Sequence, residues 1–438
     1  MKNGIILVVS KKMDRNVRRN EKRSERKLIR IGRKARENLG LEREKVVELW
    51  PDGDTSKRVN RGLVLNIYHA YSADLKEIKK TMSEEDYLRV GFVTSETFNY
   101  LCGDIADNKV DNIWIADSID DIIIGADPEF VLLNSKQFIY ASHVQGLGHM
   151  GKLAHDGPLA ELRPEPEISV DKFIENIKTI LTNDEKVELI DKYTWYADPF
   201  FEPDTIEPCV YGIGGHIHIG TPRLILEGIN DPDTKYSMFT VLHYILNYLL
   251  AIPFMIIEGA EKSVYRRRKS NYGRVSDFRT DRDRLEYRVV SGAWLKHPTI
   301  AKAVLGTAKA IAEAYYKYLE RKGIAKAFTP IYTDTHTFLG DDMNLLPELA
   351  VSKEFGVDLG RDGLKPILEV HGELDDSLVK NILQKLKELP TYNKYNKYID
   401  TFIELVNRGL KEKELRVTPY FKSAWKYNRK LKFAEETL

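Results

Sequence analysis

The sequence predicts an α+β protein, in which a strand-rich segment follows a small β-rich domain and precedes a helical region. From Asp121 to His297, strand-like apolar runs alternate with glycine-rich turns and helical segments. After Pro298 the chain is alanine-rich and has few helix breakers. Apolar residues recur at helical spacing in several segments. Helices are predicted over residues 171–181, 235–250, 300–321, 378–389 and 398–410.

Composition limits the class of protein. The 438 residues suffice for two or three domains, and 42% hydrophobic with 30% charged residues is ordinary globular composition. A net charge of +1 gives no overall sign of a nucleic-acid or membrane partner. Two cysteines are too few for a disulfide framework, and no uninterrupted run approaches 18 apolar residues. We therefore expect a soluble, cytoplasmic protein with no membrane contact.

Three regions are predicted: a basic, β-rich domain over 1–118, a catalytic sheet over 119–300, and a helical region over 301–438 that packs on it. Residues 1–36 carry 14 Lys or Arg against 3 Asp or Glu. The predicted order in the first domain is an opening strand, a solvated basic run over 11–36, a strand at 28–32, a short helix at 34–40 and a strand at 46–50. This order is similar to swapped-hairpin barrels of small bacterial DNA-binding regulators. The alternative is a generic accessory domain with a basic solvent face.

The most informative feature is a set of four strand-like runs that each carry two polar residues at positions i and i+2. Such residues point to the same face of a strand, so each run is apolar on one side and polar on the other. Side by side, four such strands would present carboxylates, imidazoles and guanidiniums on one surface. The pairs are Asp127 and Glu129, Glu161 and Arg163, His216 and His218, and Glu286 and Arg288.

The first and third pairs suggest metal ligands. Carboxylates next to a buried strand are costly unless they are paired or bound to a metal, and Pro128 predicts a sheet edge or a bulge. Imidazole is a common metal ligand, and glycines flank His216 and His218. The alternatives are a surface acidic pair and two structural histidines.

The second and fourth pairs suggest phosphate contacts. Glu161 and Arg163 could pair with each other, or serve as a metal ligand and a phosphate clamp. Upstream of the fourth pair, residues 265–279 predict a cationic loop that suits a polyphosphate. The alternative is a solvated basic loop.

A glycine-rich run resembles a nucleotide-binding loop, but only in part. Residues 146–152 match G-x-x-x-x-G-K, yet Leu153 stands where such a loop needs Ser or Thr, and a strand is predicted next. The run is therefore not a P-loop, although Lys152 stays a candidate phosphate contact.

In order, Asp-Pro-Glu129, Glu161-Leu-Arg, Gly-Gly-His216-Ile-His218 and Glu286-Tyr-Arg288 resemble the active-site series of the glutamine synthetase and glutamate–cysteine ligase superfamily. Within it, residues 121–300 most resemble the phage-type carboxylate–amine (COOH–NH2) ligases. The resemblance implies a curved antiparallel sheet that binds ATP and Mg²⁺, or Mn²⁺, and joins a carboxylate to an amine through an acyl phosphate. The substrate pocket of true glutamine synthetases is not recognisable. A phage-encoded enzyme would act in the host cytoplasm, and an oligomer would be in keeping with the family.

The resemblance also implies roles for individual residues. Glu129, Glu161, His218 and Glu286 would hold metal, with Asp127 as a further candidate. Arg279, Arg288 and Glu286 would act on the transferred phosphate. The remaining candidates for contacts to the nucleotide are Lys152, His216, Arg266, Arg268 and Arg274.

Two other functions remain open from the residues alone. One is a cupin-like enzyme or hydrolase that holds Zn²⁺ or Fe²⁺ through His216, His218 and a carboxylate. The density of arginines over 266–288 argues against it. The other is a nucleic-acid-binding protein that uses residues 11–36, which is compatible with a ligase.

Overall fold

A computed structural model describes two parts of the chain in different detail. In the first 112 residues it describes four strands, β1 Ile5–Ser10, β2 Lys45–Leu49, β3 Leu63–Tyr68 and β4 Val90–Val93. Beyond them it describes residues 113–204, 209–229, 232–281, 283–323, 354–357, 364–370, 374–412, 415 and 417–431. The chain forms two compact units, Met1–Asn112 and Ile113–Leu438.

The first unit contains an antiparallel sheet of four described strands in the order β2-β3-β1-β4. The opening strand and the strand predicted near residues 46–50 are confirmed. The predicted strand at 28–32, the short helix at 34–40 and the basic run at 11–36 lie outside the described residues.

The second unit is built on a mixed set of short and long strands, nine of which form one sheet among the described residues. Six of them run in the order β14-β15-β13-β6-β9-β8, while β7 and β10 extend along β6 and β5 pairs with β13. All pairings are antiparallel except that of β5 with β13. The strands are β5 Ile115–Ala116, β6 Ile124–Asn134, β7 Gln137–Ile139, β8 Leu153–Asp156, β9 Leu159–Leu162, β10 Thr194–Tyr196, β11 Phe200–Phe201, β12 Tyr211–Gly212, β13 Gly215–Pro222, β14 Phe278–Asp281 and β15 Arg284–Tyr287. Among the described residues, β11 and β12 form a separate two-stranded sheet.

Alternation along the strands separates a core face from a second face. On β6, Phe130 and Leu132 join the main hydrophobic core, as do Ile217 and Ile219 of β13. The residues between them, such as Glu129, point to the opposite face. One face is therefore covered by helices, and the other carries the polar side chains.

The described helices confirm the α+β class. All five predicted helical segments are helical, with boundaries that differ by a few residues from the predictions. The helices are α1 Val170–Asn183, α2 Val187–Asp191, α3 Arg223–Glu227, α4 Pro232–Leu246, α5 Ile252–Glu258, α6 Ala260–Lys269, α7 Pro298–Lys322, α8 Asp376–Glu388, α9 Tyr392–Glu412 and α10 Lys422–Lys426. Asn247–Ala251 and Pro366–Val370 form π-helical segments.

The long helix α7 packs on the core face of the sheet. His297 caps it by accepting a hydrogen bond from the amide of Thr299, Pro298 occupies its first turn, and Gly323 with φ +71° ends it. Gly306 lets α9 approach closely, because a Cβ there would overlap the ring of Tyr398. The boundary predicted near residue 300, between the catalytic sheet and the helical region, falls at the start of this helix. It lies within the second unit.

Two local predictions concern Pro128 and the basic stretch. Pro128 lies within β6, opposite Gly215 at the end of the ladder to β13, and its other side is a local strand edge, as predicted. The ladder to β9 begins only at Glu129, so the missing N–H of proline disrupts neither ladder. The basic stretch predicted as a loop is helical up to Lys269, because no Gly or Pro interrupts residues 260–269.

One helical run is long and apolar enough to cross a membrane by length and composition alone. It covers Lys235–Glu258, with a mean hydropathy of 1.8. The window is 94% buried inside the protein, as in a core helix, and the polar side chains of His243 and Asn247 interrupt it.

Candidate active site

The sheet places the four polar pairs side by side on one face. The strands that carry them, β15, β13, β6 and β9, are neighbours in that order. The residues that lie opposite one another are Glu286 and His218, His216 and Asp127, and Glu129 and Glu161. The predicted single polar surface is therefore present in the structure.

The centre of the surface is the Asp127 carboxylate, which lies between two imidazoles. Its Oδ1 is 3.0 Å from Nδ1 of His216 and 3.2 Å from Nε2 of His218. Although burial opposes ionisation, the charges of His218 and His216 hold the pKa of Asp127 well below its usual range. Oε1 of Glu286 lies 3.9 Å from Nδ1 of His216, so the two carboxylates converge on one imidazole.

Glu129 is 3% exposed and is fixed by two donors. The amide of Gly214 donates to its Oε2 at 2.7 Å, and the hydroxyl of Tyr272 donates to its Oε1 at 3.0 Å. Gly214 is needed here, because a Cβ at this position would lie 2.6 Å from Nε2 of His216 and 3.0 Å from Oε2 of Glu129. Burial nevertheless raises the pKa of Glu129.

Tyr272 is a member of the site that the sequence analysis missed. Its hydroxyl is also 2.7 Å from Nε2 of His216. Nδ1 of His216 lies 3.0 Å from Oδ1 of Asp127, so both ring nitrogens of His216 have a partner. Although burial opposes a positive charge on this imidazole, the Asp127 carboxylate raises the pKa of His216.

The position of Tyr272 depends on the turn after α6. Asn271 has φ +61° and Gly273 has φ +74°, so the backbone turns sharply on both sides of the tyrosine. The guanidiniums of Arg266 and Arg288 lie 5.3 and 5.1 Å from the centre of its ring. A tyrosine between an arginine-rich helix and a strand belongs to no periodic pattern, so the sequence alone does not mark it as a site residue.

Glu161 and Arg163 form an ion pair at the β9 side of the site. Burial and then the charge of Asp127 raise the pKa of Glu161 to about 8. Arg163 also donates to the carbonyl oxygen of His149 at 2.6 Å. The glycine-rich run that contains His149 is thereby tied to a site carboxylate.

The Glu286 carboxylate lies beside two arginines, at the end of the polar surface formed by β15. Nη1 of Arg288 donates to Oε1 of Glu286 at 2.6 Å, and Nη1 of Arg279 lies 3.8 Å from the same oxygen. Nε of Arg288 donates to Asp277 at 3.2 Å, while the Arg279 side chain is 42% exposed. One guanidinium is thus held in place, and the other is accessible to a ligand.

Comparison with known proteins identifies the family. Residues 124–346, just over half of the chain, match the family model described as "Phage phiEco32-like COOH.NH2 ligase-type 2". The chain belongs to this ligase family. The match includes all four polar strands, and the family description supports an enzyme that forms amide bonds from a carboxyl and an amino group.

No curated protein sequence matches the ligase. Among solved structures, it is similar to a bifunctional glutathione synthetase from Pasteurella multocida, with 10% sequence identity and a TM-score of 0.31. The similarity covers 70% of the ligase and 56% of the synthetase chain, so the ligase spans little more than half of the length of that protein.

The donor set of the ligase fits a divalent cation. Among the described residues, ligand atoms of Asp127, His216 and Glu286 lie within 4.8 Å of one another. Buried carboxylates at this spacing repel each other, and a cation would supply the charge that they lack. Carboxylate oxygens are the ligands that Mg²⁺ prefers, with imidazole more usual for transition metals.

Four predicted phosphate contacts of the ligase have different surroundings. Arg266 is fully buried and donates to the carbonyl oxygens of Val289 and Val290. Arg268 and Arg274 are exposed. Lys152 pairs with Glu165 at 3.4 Å beside α1, and a strand follows it as predicted. Their proposed role stays a prediction.

The sequence analysis also missed a buried ion pair, which Glu258 and Arg267 form. Glu258 is fully buried, accepts hydrogen bonds from Ser263 and Ser291, and lies 3.8 Å from Nη2 of Arg267. Arg267 donates to the carbonyl oxygens of Gly273 at 2.7 Å and Val289 at 3.2 Å. The pair therefore joins α5 and α6 to the segments on either side of Arg288.

Proposed function

We propose that this ligase uses ATP to activate a carboxylate as an acyl phosphate, which an amine then attacks. The observation that carries the proposal is the row of carboxylates, imidazoles and guanidiniums across adjacent strands of one sheet. Carboxylates suit Mg²⁺, and exposed arginines beside them suit the phosphates of ATP. The antiparallel sheet is also what a member of the glutamine synthetase superfamily would need.

In the proposed first step, an oxygen of the substrate carboxylate attacks the γ-phosphorus of ATP. The bond to the β,γ-bridging oxygen breaks, and its electron pair leaves with ADP. In the second step the amine attacks the acyl carbon, phosphate leaves, and the amine loses a proton. The products are an amide, ADP and phosphate.

The residues of the chain would act by charge and position. Glu129, Glu161, His218 and Glu286 would hold Mg²⁺, with Asp127 and His216 beside them, and the ion would neutralise charge on the phosphate oxygens. Arg279 and Arg288 would bind the transferred phosphoryl group. Losing one such group commonly lowers the rate by about 10²–10³. A cytoplasmic setting, where ATP is available, is part of the same proposal.

Thermal unfolding tests the nucleotide site without any knowledge of the substrates. A ligand at about 100 times its Kd stabilises the folded protein by roughly 2.7 kcal/mol. We expect ATP to raise the Tm of the wild type only with Mg²⁺. The shift should be absent in Glu286→Ala and His218→Ala, and it should persist in Glu175→Ala, which removes an exposed carboxylate from α1.

Turnover is then measured as ADP release, with hydroxylamine as a general amine and a panel of carboxylic acids. We expect Glu286→Ala to abolish turnover with little loss of fold. A variant that keeps more than about a tenth of the wild-type rate would remove Glu286 from the proposed site.

A transition-metal hydrolase is the second candidate, because two imidazoles converge on Asp127. It predicts that Zn²⁺ or a chelator shifts the Tm while Mg²⁺ and ATP do not. The family match favours the ligase.

A further inference from the structure

The polar face of the sheet continues into a cluster of aromatic side chains, which we call the aromatic patch. The patch consists of Phe138, Tyr140, Tyr196, Phe201 and Tyr211. Phe138 contacts Tyr140, Phe201 and Tyr211 with ring centres 4.8, 5.3 and 5.0 Å apart, and Tyr196 contacts Phe201 at 5.4 Å. All of these rings except that of Tyr140 pack against a small apolar cluster that is separate from the main core.

Strand alternation places the aromatic patch on the same face as the carboxylates. Along β6, Asp127 and Glu129 are followed on that face by Val131 and Leu133, and both belong to the small apolar cluster. Tyr196 lies opposite Val131, and Phe138 lies opposite Leu133. Two residues of a strand span about 7 Å, so the patch begins within one small molecule's length of Glu129.

The aromatic patch offers apolar surface with two hydroxyls at its rim. Tyr140 is 40% exposed, and its hydroxyl is 2.9 Å from that of Tyr211. Asp198, which accepts a hydrogen bond from Tyr196, is buried and lies 2.6 Å from the ammonium of Lys296. The surface therefore suits an uncharged planar group better than a charged one.

The guanidiniums lie at the other end of the same face. Arg279 is opposite Glu286, which is opposite His218, which is opposite Gly125 of β6. The arginines are thus near the start of β6, whereas the aromatic patch is near its end, beyond Glu129. A polyphosphate bound by the arginines would extend away from the patch.

We propose that the aromatic patch binds the organic part of the carboxylate substrate, and that this part is an aromatic or other planar apolar group. The inference rests on the proposed function. In phosphoryl transfer the attacking oxygen and the leaving oxygen are roughly in line on opposite sides of the phosphorus. With ADP held on the arginine side, the carboxylate must approach from the side of the patch.

Calorimetric binding tests the inference without turnover. The probes are 3-phenylpropanoate, hexanoate and glutarate, each titrated into the protein with Mg²⁺ and a non-hydrolysable ATP analogue. We expect 3-phenylpropanoate to bind at least tenfold more tightly than glutarate, and more tightly than hexanoate. Tyr211→Ala and the milder Tyr140→Leu should weaken it about tenfold, which is the size of a typical aromatic contact.

The matched control is Tyr427→Ala, because Tyr427 is 68% exposed and lies outside the patch. It should change no affinity, and no variant should weaken the nucleotide analogue. Equal binding of glutarate, or patch variants that weaken the nucleotide analogue and not 3-phenylpropanoate, would overturn the inference alone. The second result would assign the patch to the base of the nucleotide. Failure of the wild type to bind the analogue with Mg²⁺ would overturn the proposed function as well.

Discussion

The hydroxyl of Tyr272 lies 2.7 Å from Nε2 of His216. Because the same hydroxyl donates to Glu129, one phenol sets the orientation of an imidazole on β13 and of a carboxylate on β6. A residue outside the sheet therefore holds two side chains of the site in position. Tyr272 is a positioning residue for two candidate metal ligands.

Replacing Tyr272 with Phe should separate this role from packing. The ring remains, but Glu129 loses a donor and Nε2 of His216 loses its hydrogen-bond partner. Partners that orient metal ligands typically affect metal affinity or activity by about 10–100-fold. We expect the Mg²⁺ concentration needed for the ATP-dependent Tm shift to rise by that factor, with a near-normal Tm without ligand. Tyr427→Phe is the control, and an unchanged Mg²⁺ requirement in Tyr272→Phe would contradict the role.

Gly214→Ala should damage the site through one methyl group. The new Cβ would meet Nε2 of His216 and Oε2 of Glu129, and overpacking of this kind costs about 1–3 kcal/mol. We expect a lower Tm and loss of the response to Mg²⁺ and ATP. Gly306→Ala, which crowds Tyr398 between α7 and α9, should lower the Tm but keep the response to Mg²⁺ and ATP. If both variants keep the response, the close approach at Gly214 is unimportant for the site.

His243 should make the protein less stable in mild acid. It is fully buried, and its Nε2 donates to the carbonyl oxygen of Val275 at 2.6 Å. Burial lowers the pKa of His243 to about 4, from 6.5 in an exposed histidine. Between these values the unfolded chain binds more protons than the folded one. The stability is complete above pH 6.5 and falls by about 3 kcal/mol as the pH approaches 4.

His243→Gln keeps a donor for Val275 but does not titrate. Urea unfolding of both proteins between pH 4 and 7 therefore measures the contribution of the imidazole. The wild type should lose stability more steeply than the variant over this range. Parallel curves would show that His243 is not responsible.

Removing one partner of the Glu258–Arg267 pair should lower the free energy of unfolding strongly. Removing both charges should lower it only slightly. Arg267→Met leaves a fully buried carboxylate without its guanidinium, which typically costs about 3–5 kcal/mol. Glu258→Gln with Arg267→Met removes both charges and should recover most of that loss in urea unfolding. If the two changes instead add, the serine hydroxyls and not Arg267 compensate Glu258.

The sequence predicted the sheet surface of the site because strand geometry is local. Alternation alone decides that His216 and His218 share a face, and the paired polar residues mark which face it is. It could not predict Tyr272, whose place depends on a turn with two left-handed residues. It also could not distinguish the buried Arg266 and Arg267 from the exposed Arg268. Which of three consecutive arginines on a helix is buried depends on tertiary packing.

The aromatic patch was missed for a related reason. Its members lie in short strands and a turn between residues 138 and 211, and each is an ordinary aromatic residue in its own segment. The pairing of β7 and β10 with the end of β6, and of β11 with β12, places these residues in neighbouring strands.

Because the chemistry of this face depends on alternation along the strands, insertions and deletions should be constrained by parity. Losing one residue within β6 or β13 would turn every later side chain over, sending carboxylates or imidazoles into the core and apolar side chains to the site. Losing two would shift them by one step and leave the faces intact. In related sequences, insertions or deletions of a single residue should therefore be tolerated in the connecting turns. Within the site strands, only insertions or deletions of two residues should be tolerated.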